Sequence, residues 1–215
     1  MELRNTTINF LGDSITQGVG VVRFTDLIEQ EHGAICRNYG ISGTRIAKQK
    51  APSEPETFDQ YFCSRVDGMD PDADVVVVFG GTNDYGHGDA PLGTPADRTP
   101  ETFWGALHTL YSSLAAKYPA AKIVVLTPTH RLDEENPRGA FDYKPAPVAP
   151  LKEYVSIIRE VAEYYSFPVL DLFARSGMQP AIPAIQEMYM PDGLHPNNAG
   201  HQLLADQIVK FLRTL

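Results

Sequence analysis

The chain has 215 residues, 43% hydrophobic and 21% charged, with a formal net charge of −9. A chain this long buries roughly 70% of its unfolded surface, so it needs no disulfide or metal staple. The acidic balance argues against a nucleic-acid binder, which needs cationic surface against phosphates, and against docking on anionic membranes.

Short apolar runs alternate with longer periodic segments. TINFLG (7–12) reads as the first strand. VVRFTDLIEQEHG follows as a helix, with Phe24, Leu27 and Ile28 at helical spacing and Gly33 as its stop. AICRNYG (34–40) is the second strand, and Phe58, Tyr61, Phe62, Arg65 and Val66 suggest another helix. DVVVVFGG (74–81) is the clearest strand, a continuous β-branched run suited to a parallel strand buried on both faces. After a long loop, Pro100 opens a helix carrying Phe103, Leu107, Leu110 and Leu114. KIVVLTP (122–128) is the fourth strand, followed by a Pro- and charge-rich loop over 128–149. Leu151, Tyr154, Ile158, Val161 and Tyr165 mark a helix, FPVLDLF (167–173) the fifth strand. A Pro- and Met-containing loop leads to a last helix carrying Leu204, Ile208, Phe211, Leu212 and Leu215.

The order is β-α repeated, with no composition break and no internal repeat. It predicts one layered α/β domain over 1–215, a parallel sheet with helices on both faces. Cys36 and Cys63 lie in no CxxC or metal-like pattern and read as buried free thiols. No stretch approaches the ~18 apolar residues of a membrane span, and the N-terminus lacks the apolar run of a signal peptide. A cytoplasmic protein is expected; a secreted mature form would look the same.

In such sheets, ligands bind beyond the carboxyl ends of the strands. Four clusters stand there or nearby: GDSIT with Ser14, NYGISG with Gly40, GGTND with Asn83, and PDGLHPN with Asp192 and His195. Ser14 reads either as a helix N-cap or as a nucleophile. A serine hydroxyl attacks only when a base takes its proton, and a histidine oriented by a carboxylate is the apt base. Asp192 and His195 are three positions apart around Gly193, a spacing at which a turn can bring carboxylate to ring. Pro196 suits the first position of the final helix. Candidate oxyanion donors are the Ser14 N–H, the Gly40 N–H and the Asn83 amide.

Asp13 is expected to tie down the turn, and Asp84 to support the loop beside Asn83. Asp13, Tyr85, His87 and His130 are the candidate substrate-contacting residues, with ordinary loop roles as the alternative. Tyr85, Phe141 and Tyr143 lie on the long loops 80–99 and 128–149, which are placed to build a substrate pocket. His32, His108 and His201 fall on predicted helices as surface or boundary residues, and no HxH or HExxH spacing suggests a metal set.

Taken in order, GDSIT, NYGISG, GGTND and DGLHPN resemble the four blocks of the SGNH hydrolases, a branch of the GDSL-type esterases and lipases. The resemblance spans residues 12–198. It implies a flavodoxin-like three-layer α/β/α fold with a five-stranded parallel sheet in the order 2-1-3-4-5. It also implies Ser14 as nucleophile, His195 as base, Asp192 as its partner, an oxyanion hole from Ser14, Gly40 and Asn83, and no metal or cofactor. The expected activity is hydrolysis of short-chain acyl esters, with O-acetylated carbohydrates first and lysophospholipids or thioesters as alternatives. The expected partner is a small-molecule ester, with no nucleic acid and no stable membrane association; the oligomeric state is left open. A flavodoxin-like binding protein is the alternative from another class, although flavin binding would not need DGLHPN or the asparagine of GGTND.

Overall fold

The run at 75–79 folds as the central strand of the sheet, as its unbroken apolar character requires. Val75, Val77 and Phe79 face one helical layer, Val76 and Val78 the other, and all five are at most 2% exposed. Each side chain buried so fully contributes roughly 1.5–3 kcal/mol of transfer free energy.

The computed structural model describes residues 1–215. Its strands are β1 (Thr7–Gly12), β2 (Ile35–Gly40), β3 (Val75–Phe79), β4 (Lys122–Leu126) and β5 (Val169–Leu170). All pairings are parallel, in the order β2-β1-β3-β4-β5, as expected. The helices are α1 (Ser14–Gln17), α2 (Phe24–His32), α3 (Phe62–Arg65), α4 (Thr82–His87), α5 (Phe103–Lys117), α6 (Leu151–Tyr164), α7 (Leu172–Arg175), α8 (Pro183–Tyr189) and α9 (Asn198–Leu212).

Two apolar cores flank the sheet. One packs Leu11, Val76, Val78, Ile123 and Val125 against α5 and α6. The other packs Ile8, Phe10, Val77, Val124 and Leu126 against α2 and α9. Thr102 caps α5 by accepting from the Gly105 N–H at 3.1 Å, and Asn197 caps α9 from the Gly200 N–H at 3.0 Å.

Several expectations change. The helix expected around 58–66 is a 3-10 turn at Glu56–Asp59 and then a single α turn. The fifth strand is two residues long, because the Asp171 carboxylate caps α7 from the Ala174 N–H and ends it. Two helices, α4 and α8, lie in segments expected to be loops. Pro196 precedes the cap of α9 and does not open it. Cys36 and Cys63 are free but only partly buried. No helix is long and apolar enough to cross a membrane.

His108 and His201 are buried, at 3% and 1% exposure, not superficial. The His201 Nδ1 accepts from the Phe24 N–H at 3.2 Å, and its ring stacks on that of Phe24. Burial lowers its pKa from 6.5 to about 4. Between those values the unfolded chain binds more protons than the folded one, so stability rises with pH and is lost as pH falls. Acidification from about pH 6.5 to 4 is therefore expected to cost on the order of 2 kcal/mol through this one group. Urea midpoints measured across that range check it. His201→Gln offers Phe24 an acceptor that does not titrate, and should flatten the slope; an unchanged slope in that variant contradicts the assignment.

Candidate active site

The register of β1 explains why distant residues converge. Gly12 pairs with Gly40 on one side and with Phe79 on the other. Three neighbouring strands therefore end at one level, and the turns after them share one edge of the sheet, where the strand order reverses.

Ser14 is the first residue of α1, not its cap. The cap is Asp13, whose carboxylate accepts from the Ile15 N–H at 3.0 Å. That division of labour leaves the serine hydroxyl free, and it donates to His195 Nε2 at 3.0 Å. On the far side of the ring, Nδ1–H donates to Asp192 Oδ2 at 2.7 Å. Asp192 Oδ1 accepts from the backbone N–H groups of Leu194 and His195 at 2.9 and 2.7 Å. One carboxylate thus closes the turn and orients the ring. Burial alone raises the Asp192 pKa, but the hydrogen bonds from His195 and Leu194 outweigh it and leave the pKa below the ordinary value. The loop is braced from outside by the Leu132 N–H, which donates to the Gly193 carbonyl at 2.9 Å.

Asn83 is buried in the first turn of α4, 4% exposed, and donates one amide hydrogen to the Thr44 carbonyl at 3.0 Å. A primary amide has two hydrogens, so one is left. The Ser14 N–H has no acceptor within the protein.

Gly40 does not supply a third donor. Its N–H is already given to Asn38 Oδ1 at 2.9 Å. Its lack of a side chain serves packing instead, since a Cβ there would meet the Gln17 backbone nitrogen at 2.2 Å. Three residues on, the Gly43 N–H has no acceptor. Gly43 sits between Ser42, which lines the cavity at Ser14, and Thr44, which holds Asn83. Its φ is +73°, and a Cβ there would meet a Phe58 ring carbon at 2.1 Å, so the position is restricted to glycine. The second glycine of NYGISG, not the first, therefore carries the free N–H at this edge, a difference the sequence alone does not reveal.

Arg65 supports this backbone from below, donating to the carbonyls of Tyr39 and Gly12 at 2.8 and 3.1 Å and to Thr44 Oγ1 at 3.2 Å. Asp84 accepts from the N–H groups of Ile46 and Ala47, both at 2.9 Å, and so ties the segment after Gly43 to α4. Burial raises the pKa of both Asp84 and Asp13, the latter to about 6.

The other expected substrate contacts divide. Asp13 is 2% exposed and acts as a cap. Tyr85 is 0% exposed; its hydroxyl donates to the carbonyls of Asp133 and Asn136 and anchors loop 128–149. His130 binds Glu134 at 2.8 Å, and its ring lies 4.0 Å from that of Phe173. These bonds point all three into the framework: Asp13 ties down the turn as expected, while for Tyr85 and His130 they correct the alternative of a substrate contact. His87 alone lines a cavity, beside Arg45 and Arg131. The cavity at Ser14, about 340 Å³, is lined by Ile15, Val19, Val21, Ser42 and Pro196 besides the Ser14–His195–Asp192 chain. No group of three or more His, Cys, Asp or Glu side chains is placed to hold a metal.

Chemically, the arrangement offers a hydroxyl with a proton acceptor at hydrogen-bond distance, and a carboxylate opposite to stabilise the imidazolium that would form. Such a site suits attack on a carbonyl carbon.

A protein from Lactobacillus plantarum of known structure is 31% identical, with 98% of each chain covered and a TM-score of 0.85. A "possible lipase" from Chitinophaga pinensis (22% identity, 97% and 98% covered, TM-score 0.69) shares the fold. So does a lipase/acylhydrolase from Enterococcus faecalis (21%, 97% and 96% covered, TM-score 0.64). No curated protein matches. Residues 10–203, nearly the whole chain, match the GDSL-like Lipase/Acylhydrolase family. The chain belongs to that family, the hydrolases of ester bonds.

Proposed function

We propose that the protein is a serine esterase acting on short acyl esters through an acyl-enzyme. The observation that carries this reading is the unbroken chain of hydrogen bonds from the Ser14 hydroxyl through His195 to Asp192. Ser14 Oγ bonds to the ester carbonyl carbon as His195 Nε2 takes the hydroxyl proton. The carbonyl oxygen becomes an oxyanion, held by the Ser14 N–H, the Gly43 N–H and the free amide hydrogen of Asn83. The carbon–oxygen bond to the alcohol then breaks, and the alcohol leaves with the proton from His195. Water repeats the sequence, releasing the acid and restoring the serine.

An O-acetylated carbohydrate is the preferred substrate class. The small cavity at Ser14 suits a short acyl group, and its polar members, Ser42 and Asp192, suit a hydroxylated alcohol. Exposed Val19 at the rim is the feature a longer acyl chain would use.

Asn83→Ala removes one of three oxyanion donors and is expected to lower kcat by roughly 10^2–10^3-fold with little change in KM. Steady-state kinetics on a 4-nitrophenyl acyl ester checks it. A change confined to KM would place Asn83 in ground-state binding and contradict the role.

A further inference from the structure

A second cavity of about 370 Å³ lies next to the oxyanion donors. Its polar floor is Arg45, His87 and Arg131, and Phe58, Phe141 and Tyr143 form aromatic walls. It adjoins the reacting centre through the chain. Arg45 Nη1 donates to the Gly43 carbonyl at 3.3 Å, and Gly86 and His87 follow Asn83 on α4.

Arg131 is 7% exposed and has no carboxylate within ion-pair distance, an expensive state for a buried cation. Its Nη1 donates to the Thr82 carbonyl and hydroxyl, both at 3.2 Å. The opposite edge, Nε and Nη2, has no acceptor, and the Nε is fully buried. That edge is the one that grips a carboxylate with two parallel hydrogen bonds. Arg45 is 3% exposed and likewise keeps a buried Nε–H without a partner, although its Nη2 lies 3.5 Å from Asp59 Oδ1. Among acidic groups, Asp59 pairs with Arg45, Glu54 lines the cavity, and Asp84 and Asp89 (on Arg45) and Asp133, Asp13 and Asp192 (on Arg131) act on the guanidiniums from farther away. The Arg45 Nη1–H bonds His87 Nδ1 at 3.3 Å. Burial first, then the charges of Arg45 and Arg131, push the His87 pKa down to about 4, so the ring is neutral and the cavity floor stays cationic through the two guanidiniums.

We infer that this cavity is a specificity subsite for a carboxylate carried by the ester substrate, seated on the free edge of Arg131 beside Arg45. The inference rests on the esterase reading. The aromatic walls suit a ring or chain linking that carboxylate to the ester. The carboxylate can belong to the acyl part or to the alcohol part, and matched substrates separate the two sources.

The test compares kcat/KM for mono-4-nitrophenyl adipate with 4-nitrophenyl hexanoate (acyl arm), and for 4-acetoxybenzoate with phenyl acetate (alcohol arm). The anionic-to-neutral ratio is read in the wild type, in Arg131→Gln and in Phe141→Glu. Taking the ratio across variants cancels intrinsic ester reactivity. Losing a hydrogen-bonded charge partner is expected to lower the ratio at least about tenfold in one arm for Arg131→Gln. Phe141 is 88% exposed on the cavity rim, so Phe141→Glu folds normally and should lower the same ratio through repulsion even if Arg131→Gln fails to fold. Ratios unchanged in both arms, with esters still hydrolysed, overturn the subsite and leave the esterase reading standing. If no ester is hydrolysed, calorimetric titration of Ser14→Ala with adipate and with benzoate decides. Binding that Phe141→Glu weakens supports the subsite without the esterase, and no binding overturns it.

Discussion

Ser14→Ala is expected to abolish turnover, with a fall in kcat of roughly 10^6-fold, the loss typical when the nucleophile of a serine triad is removed. The structure gives the reason for so large an effect. Asp13 already caps α1, so the Ser14 hydroxyl has no structural duty in that turn and its one side-chain contact is His195. Removing one oxygen atom leaves the Ser14 N–H and the Asn83 amide in place, so substrate should still bind. Folding should be unaffected, because Ser14 is partly exposed and outside both apolar cores. Kinetics on a 4-nitrophenyl ester and a urea melt of the same sample check both halves. A variant as active as the wild type would require another nucleophile.

Asp192→Asn is expected to lower kcat by roughly 10^4-fold, because an amide facing Nδ1 favours the wrong tautomer. In the wild type, Asp192 Oδ2 accepts from Nδ1–H, which leaves Nε2 free to take the serine proton. An asparagine can keep its oxygen on the Leu194 and His195 N–H groups and so preserve the turn. Its NH2 group then meets Nδ1, the ring carries its proton on Nε2, and Ser14 loses its base. The chain would fold and bind but not react. Because hydrogen bonds hold the Asp192 pKa below its usual value, the carboxylate keeps its charge at pH values where a free aspartate loses it. A loss of under about tenfold would show that the ring is oriented by something other than Asp192.

How much of this was readable from residues alone depends on whether the signal was local. Strand ends are local: the valine run of β3 and the glycines after it placed GGTND at the edge of the sheet. The Asp192–His195 spacing was local too, since one turn decides it. Gly40 against Gly43 was not. NYGISG holds two glycines, and only the hydrogen bond from Gly40 to Asn38 shows which N–H is spent. The helix α4 was invisible because TNDYGH has no apolar face; its residues are buried by Arg131, Lys144 and the segment at 46–47, all distant in sequence. For the same reason the sequence leaves Tyr85 and His130 open between substrate contact and an ordinary loop role. The sequence places them on the right loops, but side-chain direction is fixed by Asp133, Asn136 and Glu134. The two buried arginines, Arg45 and Arg131, give no signal, since an arginine in a loop reads as a surface charge until its partners are known.

The central claim is that Ser14 Oγ is an alcohol made reactive by His195. An organophosphorus fluoride such as diisopropyl fluorophosphate tests it directly, because only an activated serine displaces the fluoride and keeps the phosphoryl group. Intact mass and peptide mapping after labelling should show one adduct per chain, on the peptide that holds Ser14, with hydrolysis lost in step, and no adduct in Ser14→Ala. Ester hydrolysis that survives the reagent undiminished, or an adduct on a different side chain, would contradict the account.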